Sequence, residues 1–300
     1  MLRIFMTGAG GYLGGSVAAA LLAQGHTVYG LVRDEEKGAL LRARGIHPVF
    51  GSLDDAEILA QNAREADAVI SAASADHESS LRAFVEALAG TGKLLLHTSG
   101  SSVVGDDVRG NLASDAVFDE DTPFVVRPTK QARHDLNQRL LAAATRGVRT
   151  VIVCPSLVYG IGDGLNSSSI QIPFLVKQAK DSGVVRVVGR GLNRWSTVHI
   201  DDVTSLFILA VDRAPAGAFY FAENGESSFA EIGEALAKRL DLGPVQAWDA
   251  QVLAEKWGVG MAYYTLGSNS RVRARRARRE LGWSPRHPSA LQWIRDEMPL

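Results

Sequence analysis

Along the first 160 residues, short apolar runs alternate with longer stretches whose apolar residues recur at helical spacing. The runs Leu2–Thr7, Thr27–Val32, His47–Phe50, Ala68–Ser71, Lys93–Thr98 and Arg149–Pro155 predict strands. Between them, Tyr12–Gln24, Glu35–Arg44, Ala56–Glu65, Glu78–Ala89 and Gln131–Arg146 predict helices. Strands separated by helices pair in parallel, with helices covering both faces of the sheet. Right-handed crossovers then give an α/β fold, a Rossmann-type doubly wound parallel sheet. After Tyr159 the rhythm breaks. Gly160–Ser169 reads as a loop. A helix over Ile172–Lys180, short strands near Val184–Val188 and Thr197–His199, and a helix over Asp201–Asp212 follow. Helical segments near Phe229–Leu240, Gln251–Trp257, Ser270–Leu281 and Ser289–Met298 close the chain. The expected division is a sheet domain over 1–165, with 193–222 returning to it, and a smaller, mostly helical C-terminal cap from 166–192 and 223–300. A cleft between sheet and cap is the expected substrate site.

Composition narrows the function classes. Of the 300 residues, 46% are hydrophobic and 22% charged, as in an ordinary globular protein. A formal net charge of −1 gives no global reason to expect nucleic acid or an anionic membrane as partner. One cysteine, Cys154, excludes an intrachain disulfide and suits a reducing, cytoplasmic setting. No apolar run reaches the roughly 18 residues that span a bilayer, and the chain enters a strand pattern at once, without a basic leader. The expected partner is a small-molecule substrate, with the chain a monomer or homodimer.

The opening Thr7-Gly8-Ala9-Gly10-Gly11-Tyr12-Leu13-Gly14 lies directly after a predicted strand and before a predicted helix. Gly8 permits the tight turn, Gly11 lets backbone approach a pyrophosphate, and Gly14 allows close helix–strand packing. The diphosphate then meets free N–H groups at the positive end of the helix. The strand–loop–helix context makes this a dinucleotide site rather than a glycine turn.

The spacing Gly-x-x-Gly-x-x-Gly resembles the extended branch of the short-chain dehydrogenase/reductase superfamily, the epimerase/dehydratase-like enzymes. Further matches follow in order: Gly25-His26-Thr27-Val28, Ser71-Ala72-Ala73-Ser74, His97 to Gly105, Pro155-Ser156-Leu157-Val158-Tyr159-Gly160, Val198 to Val203, and Leu281-Gly282-Trp283-Ser284-Pro285. The resemblance implies NAD(P) binding and oxidoreductase or epimerase-like chemistry. It implies that Gly8, Gly11, Tyr12, Leu13 and Gly14 hold the diphosphate and that Ser52 and Leu53 flank the adenine. It also implies that Ala72, Ala73 and Ser74 line the nicotinamide ribose, with Thr98, Pro155 and Val158 nearby.

In NAD-preferring members of such folds a carboxylate ends the second strand. Here that slot holds Val32, followed by Arg33, which offers charge-assisted bonds to a 2′-phosphate. NADP is therefore the expected cofactor. NAD stays possible, because Asp34 supplies an acceptor if the strand ends late.

The superfamily's Tyr-x-x-x-Lys pair, whose phenol relays a proton, is missing. Four residues after the six tyrosines stand Ser16, Arg33, Asp163, Asn224, Gly267 and Ser268. Counting along the helix before Pro155 puts the tyrosine slot near Pro128–Thr129 and the lysine slot near Ala132–Arg133. Val103-Val104-Gly105 aligns Gly100 with the family's serine, Ser99 and Ser101 flanking it. The chain thus resembles the atypical extended set, which keeps the cofactor site and loses the usual active-site residues. Candidate substitutes are Ser99, Lys130, Arg133 and His134, with His77 as a further relay candidate. His199 reads as structural. The histidines show no metal-ligand spacing, so no metal is expected. Six arginines in Arg271–Arg279 read as a solvated amphipathic helix rather than a nucleic-acid face. The leading reading is an NADP-dependent oxidoreductase or epimerase-like enzyme for a small carbonyl or alcohol. Its rivals are a non-catalytic dinucleotide-binding regulator and a dehydratase or isomerase needing no relay from the missing tyrosine.

Overall fold

A computed structural model describes residues 1–300. Its first half alternates strand and helix: β1 (Arg3–Thr7), α1 (Tyr12–Ala23), β2 (Thr27–Val32), α2 (Glu35–Ala43), β3 (His47–Phe50), α3 (Ala56–Glu65), β4 (Ala68–Ser71), α4 (Glu78–Leu88), β5 (Leu94–Thr98), α5 (Pro128–Ala142) and β6 (Arg149–Pro155). The second half runs β7 (Leu157–Tyr159), α6 (Gln171–Ser182), β8 (Arg186–Val188), β9 (Arg194–His199), α7 (Ile200–Arg213), β10 (Ala218–Ala222), β11 (Glu226–Ser228), α8 (Phe229–Arg239), β12 (Gln246–Trp248), α9 (Ala250–Trp257), α10 (Arg275–Leu281) and α11 (Ala290–Asp296).

The main sheet has seven parallel strands in the order β10-β6-β5-β4-β1-β2-β3. Period-two alternation divides each strand between two cores, since successive side chains point to opposite faces. Ile4 and Met6 of β1 join Val17, Leu21 and Phe207 from α1 and α7, whereas Phe5 joins Leu59 and Phe84 from α3 and α4. Local chemistry sets the helix starts. Asp34 Oδ1 caps α2 by accepting from Lys37 N–H at 2.8 Å, and Ser228 with Glu231 forms a capping box on α8. Pro128 occupies the first turn of α5, where its missing N–H costs nothing, so α5 starts three residues before the predicted Gln131.

Three features depart from the pattern read along the chain. Ala218–Ala222 is a strand, β10, hydrogen-bonded to β6 along the sheet edge. Outside the main sheet stand two small sheets, β11-β9-β7 and β12-β8, where mostly helices are expected. The helix expected from Ser270 starts only at Arg275. Residues 270–273 are extended because neighbouring chain takes their backbone groups: Ser196 N–H donates to the Ser270 carbonyl at 2.9 Å, and Arg273 N–H to the Phe118 carbonyl at 2.8 Å. Of the segment 193–222, α7 packs on α1 and β10 joins the main sheet, while β9 pairs with β7 and β11. No helix is long and apolar enough to cross a membrane.

Candidate cofactor cleft and active site

A cleft of about 690 Å³ opens at the carboxyl ends of β1–β4, the side of a doubly wound sheet where ligands bind. Its floor is the glycine loop. Gly8 has φ +78°, and a β-carbon there would sit 2.7 Å from the Ala72 carbonyl. A β-carbon on Gly14 would overlap the Gly8 carbonyl oxygen, so α1 lies against the loop only because that side chain is absent. Gly11 differs. A β-carbon there meets only the Gly8 oxygen, at 3.2 Å, and otherwise fills the cleft. Gly11 is also the N-cap of α1 and supplies no side-chain cap, which leaves the first-turn N–H groups for an anion. The loop and cleft therefore fit a dinucleotide diphosphate.

One wall is the glycine-rich segment 160–169, whose composition predicts no more than a loop. A β-carbon on Gly164 would overlap the Gly11 carbonyl, and Asn166 N–H donates to the Gly10 carbonyl at 3.2 Å. Leu165 and Asn166 line the cleft. Tyr12, expected at the diphosphate, turns its hydroxyl to this wall and donates to the Gly160 carbonyl at 3.0 Å; burial pushes its phenol pKa upward. The signal was present in the glycines at 160, 162 and 164, spaced to pack backbone on backbone.

At the far end stand Leu31, Val32 and Arg33 from the end of β2, and Lys37 from α2. Asp34 is turned away as the cap of α2, with Lys37 Nζ 3.6 Å from its Oδ2. Ser52, Leu53 and Asp54 follow β3 along the opposite wall. His77 caps α4 and faces Asp54, its Nε2 3.3 Å from the carboxylate. Ala73 lines the cleft, and Ala72 packs beneath Gly8 and Gly14. Ser74 Oγ instead accepts the Asp76 amide at 3.2 Å. Leu13 packs on the core below α1, as does Val158 of β7. At the ends of β5 and β6, Thr98 is half-buried with its Oγ1 covered, and Pro155 is buried.

Beyond Ala73 the four proton-relay candidates separate. Lys130 and Arg133 come together on α5: Arg133 Nη1 donates to Ser102 Oγ at 3.0 Å and Lys130 Nζ to the same oxygen at 3.3 Å. Arg133 Nε donates to Asp76 Oδ1 at 2.6 Å, and this guanidinium holds the Asp76 carboxyl below its ordinary range. Asp76, Lys130 and Arg133 line a smaller cleft of about 230 Å³ with the exposed Thr129, in the stretch near Pro128–Thr129 where the resemblance puts the phenol; Ser102 stands behind them on the turn after β5. Ser99 is buried, accepting from Asn137 Nδ2 at 3.0 Å. His134 faces the far side of α5, edge-on to Phe124 at 5.8 Å. Ser102 escaped the sequence reading, because nothing in Ser99-Gly100-Ser101-Ser102 marks which hydroxyl turns toward α5.

Each arginine of the segment has a carboxylate partner within the chain, though Arg275, Arg278 and Arg279 stay exposed. Arg271 and Arg273 pair with Glu226, Arg275 with Asp119, Arg276 with Asp121, Arg278 with Glu223 and Arg279 with Glu280. His199 caps α7, its Nδ1 accepting from Asp201 N–H at 3.2 Å.

Residues 4–220 match the NAD dependent epimerase/dehydratase family. Over 95% of this chain and 93% of its counterpart, the sequence is 34% identical to the oxidase ucsJ of Acremonium sp. A 4-hydroxy-2-methyl-3-oxo-4-farnesyl-3,4-dihydroquinoline-1-oxide ketoreductase of Stigmatella aurantiaca is 29% identical, covering 99% and 97% of the two chains. In fold, the chain resembles a dTDP-glucose 4,6-dehydratase from Bacillus anthracis solved with NAD, at a TM-score of 0.79 and 17% identity over 99% of this chain and 95% of that one.

Proposed function

The chain belongs to the NAD dependent epimerase/dehydratase family, and from that premise we propose that it is an NADP-dependent oxidoreductase or epimerase-like enzyme acting on a small carbonyl or alcohol. The observation that carries this reading is the pair of cations, Arg33 and Lys37, at the end of the glycine cleft. A dinucleotide laid across the α1 N-terminus extends its adenosine ribose toward them. Val32 offers that ribose no acceptor, and Asp34 is engaged as the cap of α2. A 2′-phosphate, by contrast, meets two charge-assisted donors. Leu41 and Leu53 supply apolar surface for the base. When bound, the nicotinamide supplies or accepts a hydride. The chain's own groups hold the diphosphate at the helix terminus and set the Asp76–Arg133 pair, with Lys130 beside it, toward the nicotinamide end. The relatives that carry reductase or oxidase names support a catalytic role. A second reading, a dinucleotide-binding regulator without turnover, draws on the absence of any Tyr-x-x-x-Lys pair in the chain.

Calorimetric titration with NADP(H) and NAD(H) tests the cofactor. Arg33→Ala is expected to weaken NADP binding by about 1.5–3 kcal/mol, the range of a hydrogen bond to a charged group, and to leave NAD nearly unchanged. Equal affinity for the two cofactors, or an undiminished preference in the variant, overturns the assignment. Oxidation of NADPH against a panel of carbonyl compounds separates the readings, since tight binding without turnover supports the regulator.

A further inference from the structure

We infer that Ser102 and Lys130 are the proton-delivering pair of this site, Ser102 passing its hydroxyl proton to the substrate oxygen and Lys130 replacing it. The inference rests on the carbonyl-oxidoreductase reading above. A serine hydroxyl has one proton to donate and two lone pairs to accept with. Arg133 Nη1 and Lys130 Nζ both donate to Ser102 Oγ, at 3.0 and 3.3 Å. With both lone pairs taken by cations, the O–H has to point away from them, and no oxygen or nitrogen of the chain receives it. A hydroxyl locked in that orientation is a donor awaiting an acceptor, next to the two cations that line the smaller cleft.

Only one of the two cations can release a proton. Arg133 is clamped by Asp76 at 2.6 Å, and a guanidinium keeps its protons throughout the accessible pH range. Lys130 is partly buried, with its ammonium 4.9 Å from the centre of the Tyr264 ring. Burial and the positive charge of Arg133 hold its pKa below the ordinary lysine range, against the opposing pull of Asp76. The charged and titratable groups facing it are therefore Arg133 on its own helix, Asp76 from the loop after β4, and Tyr264 from the turn after α9. Thr129, its neighbour, is exposed and lies in the stretch near Pro128–Thr129 where the resemblance puts the phenol.

The step balances. As the carbonyl carbon gains a hydride from the reduced nicotinamide dinucleotide, the C=O π pair moves to oxygen and takes the Ser102 proton. The Ser102 O–H bond breaks, and the serine oxygen captures a proton from Lys130 Nζ. Lys130 is left a neutral amine and regains its proton from water. In the alcohol-oxidising direction the neutral amine is the base.

The test uses the full chain, NADPH and 4-nitrobenzaldehyde as the carbonyl probe, with Ser102→Ala, Lys130→Met and Lys130→Arg. Removing a positioned acid costs about 10²–10⁴-fold in rate, so each variant is expected to lose that much in kcat. NADPH affinity, read by fluorescence, is expected to stay within about twofold. Lys130→Arg decides the role: it keeps the charge and the bond to Ser102 but cannot give up a proton. Activity restored by arginine overturns the inference, as does activity retained in Ser102→Ala. In the wild type, kcat is expected to fall as pH rises through the lowered lysine pKa, and Lys130→Met to lose that limb. Competitive acetylation read by mass spectrometry supplies a measurement independent of turnover. Lys130 is expected to titrate below the surface lysines, and titration together with them overturns the pair. Absence of turnover by the wild type with NADPH bound instead overturns the enzyme reading.

Discussion

Gly11 and Gly14 stand one turn apart in the same loop, yet a side chain is excluded from them for different reasons. At Gly14 the obstacle is the protein itself: a β-carbon would overlap the Gly8 carbonyl, and α1 would have to move off the sheet. At Gly11 the backbone is extended, with φ −79° and ψ 175°, a conformation that suits a β-branched residue, and the added volume projects into the cleft. Gly14→Ala is therefore expected to lower stability by about 1–3 kcal/mol through overpacking. Gly11→Val is expected to stay folded and to lose dinucleotide binding. Urea unfolding and calorimetric titration of NADP on both variants check this. A Gly11→Val protein that is folded and binds NADP like the parent contradicts the cradle.

At the scale of elements, α7 is the post to which the C-terminal segment is tied. Asp202, in its first turn and buried, accepts the backbone N–H groups of Arg286 at 2.7 Å and His287 at 2.9 Å. Trp283 Nε1 donates to the Asp202 carbonyl at 2.9 Å. These bonds hold the segment between α10 and α11 over the Tyr159–His199 contact, where the rings lie 5.2 Å apart. Asp202→Ala leaves two amides without partners, at about 1–3 kcal/mol each when buried. The expected outcome is a loss of about 2–4 kcal/mol in urea unfolding and faster proteolytic cleavage within residues 284–289. Unchanged stability shows that the segment is held by its apolar contacts alone. The arginines of α10 act at this scale too: paired with Glu223 and Asp121, they bind the helix to the edge of the sheet.

For the molecule as a whole, acid is the expected weakness. His97 lies within β5, wholly covered, and burial pushes its imidazole pKa down from 6.5 to about 4. A lowered value means the folded state binds fewer protons than the unfolded one. Its contribution is present above pH 6.5 and is lost as pH falls toward 4, by up to about 3 kcal/mol at 1.36 kcal/mol per unit. Asp76, held low by Arg133, adds a further loss at lower pH. His97→Leu is expected to flatten the part of the stability profile between pH 6.5 and 4. Urea midpoints across that range measure it, and parallel profiles for parent and variant refute the assignment.

The sequence by itself determined the parallel sheet through β6, because apolar runs of four to seven residues separated by amphipathic helices admit few other packings. It also determined the glycine loop before α1, whose shape depends on backbone and on missing side chains, both legible locally. The absence of Tyr-x-x-x-Lys was equally legible. Tertiary structure decided what depends on distant neighbours. Ala218–Ala222 became an edge strand because β6 offered it a free backbone edge. Residues 270–273 gave up a helical pattern because Ser196 and Phe118 took their backbone groups. Gly164 became a wall of the cofactor cleft by meeting Gly11 across 153 positions of chain. Among Ser99, Ser101 and Ser102, only the turn after β5 selects which hydroxyl meets Lys130 and Arg133. Ser99 turns to Asn137, Ser101 to Ser270 and Ser102 to α5. Periodicity reports the face a residue belongs to, whereas a hydroxyl's partner is set by rotation within one short turn and by what another element brings to meet it.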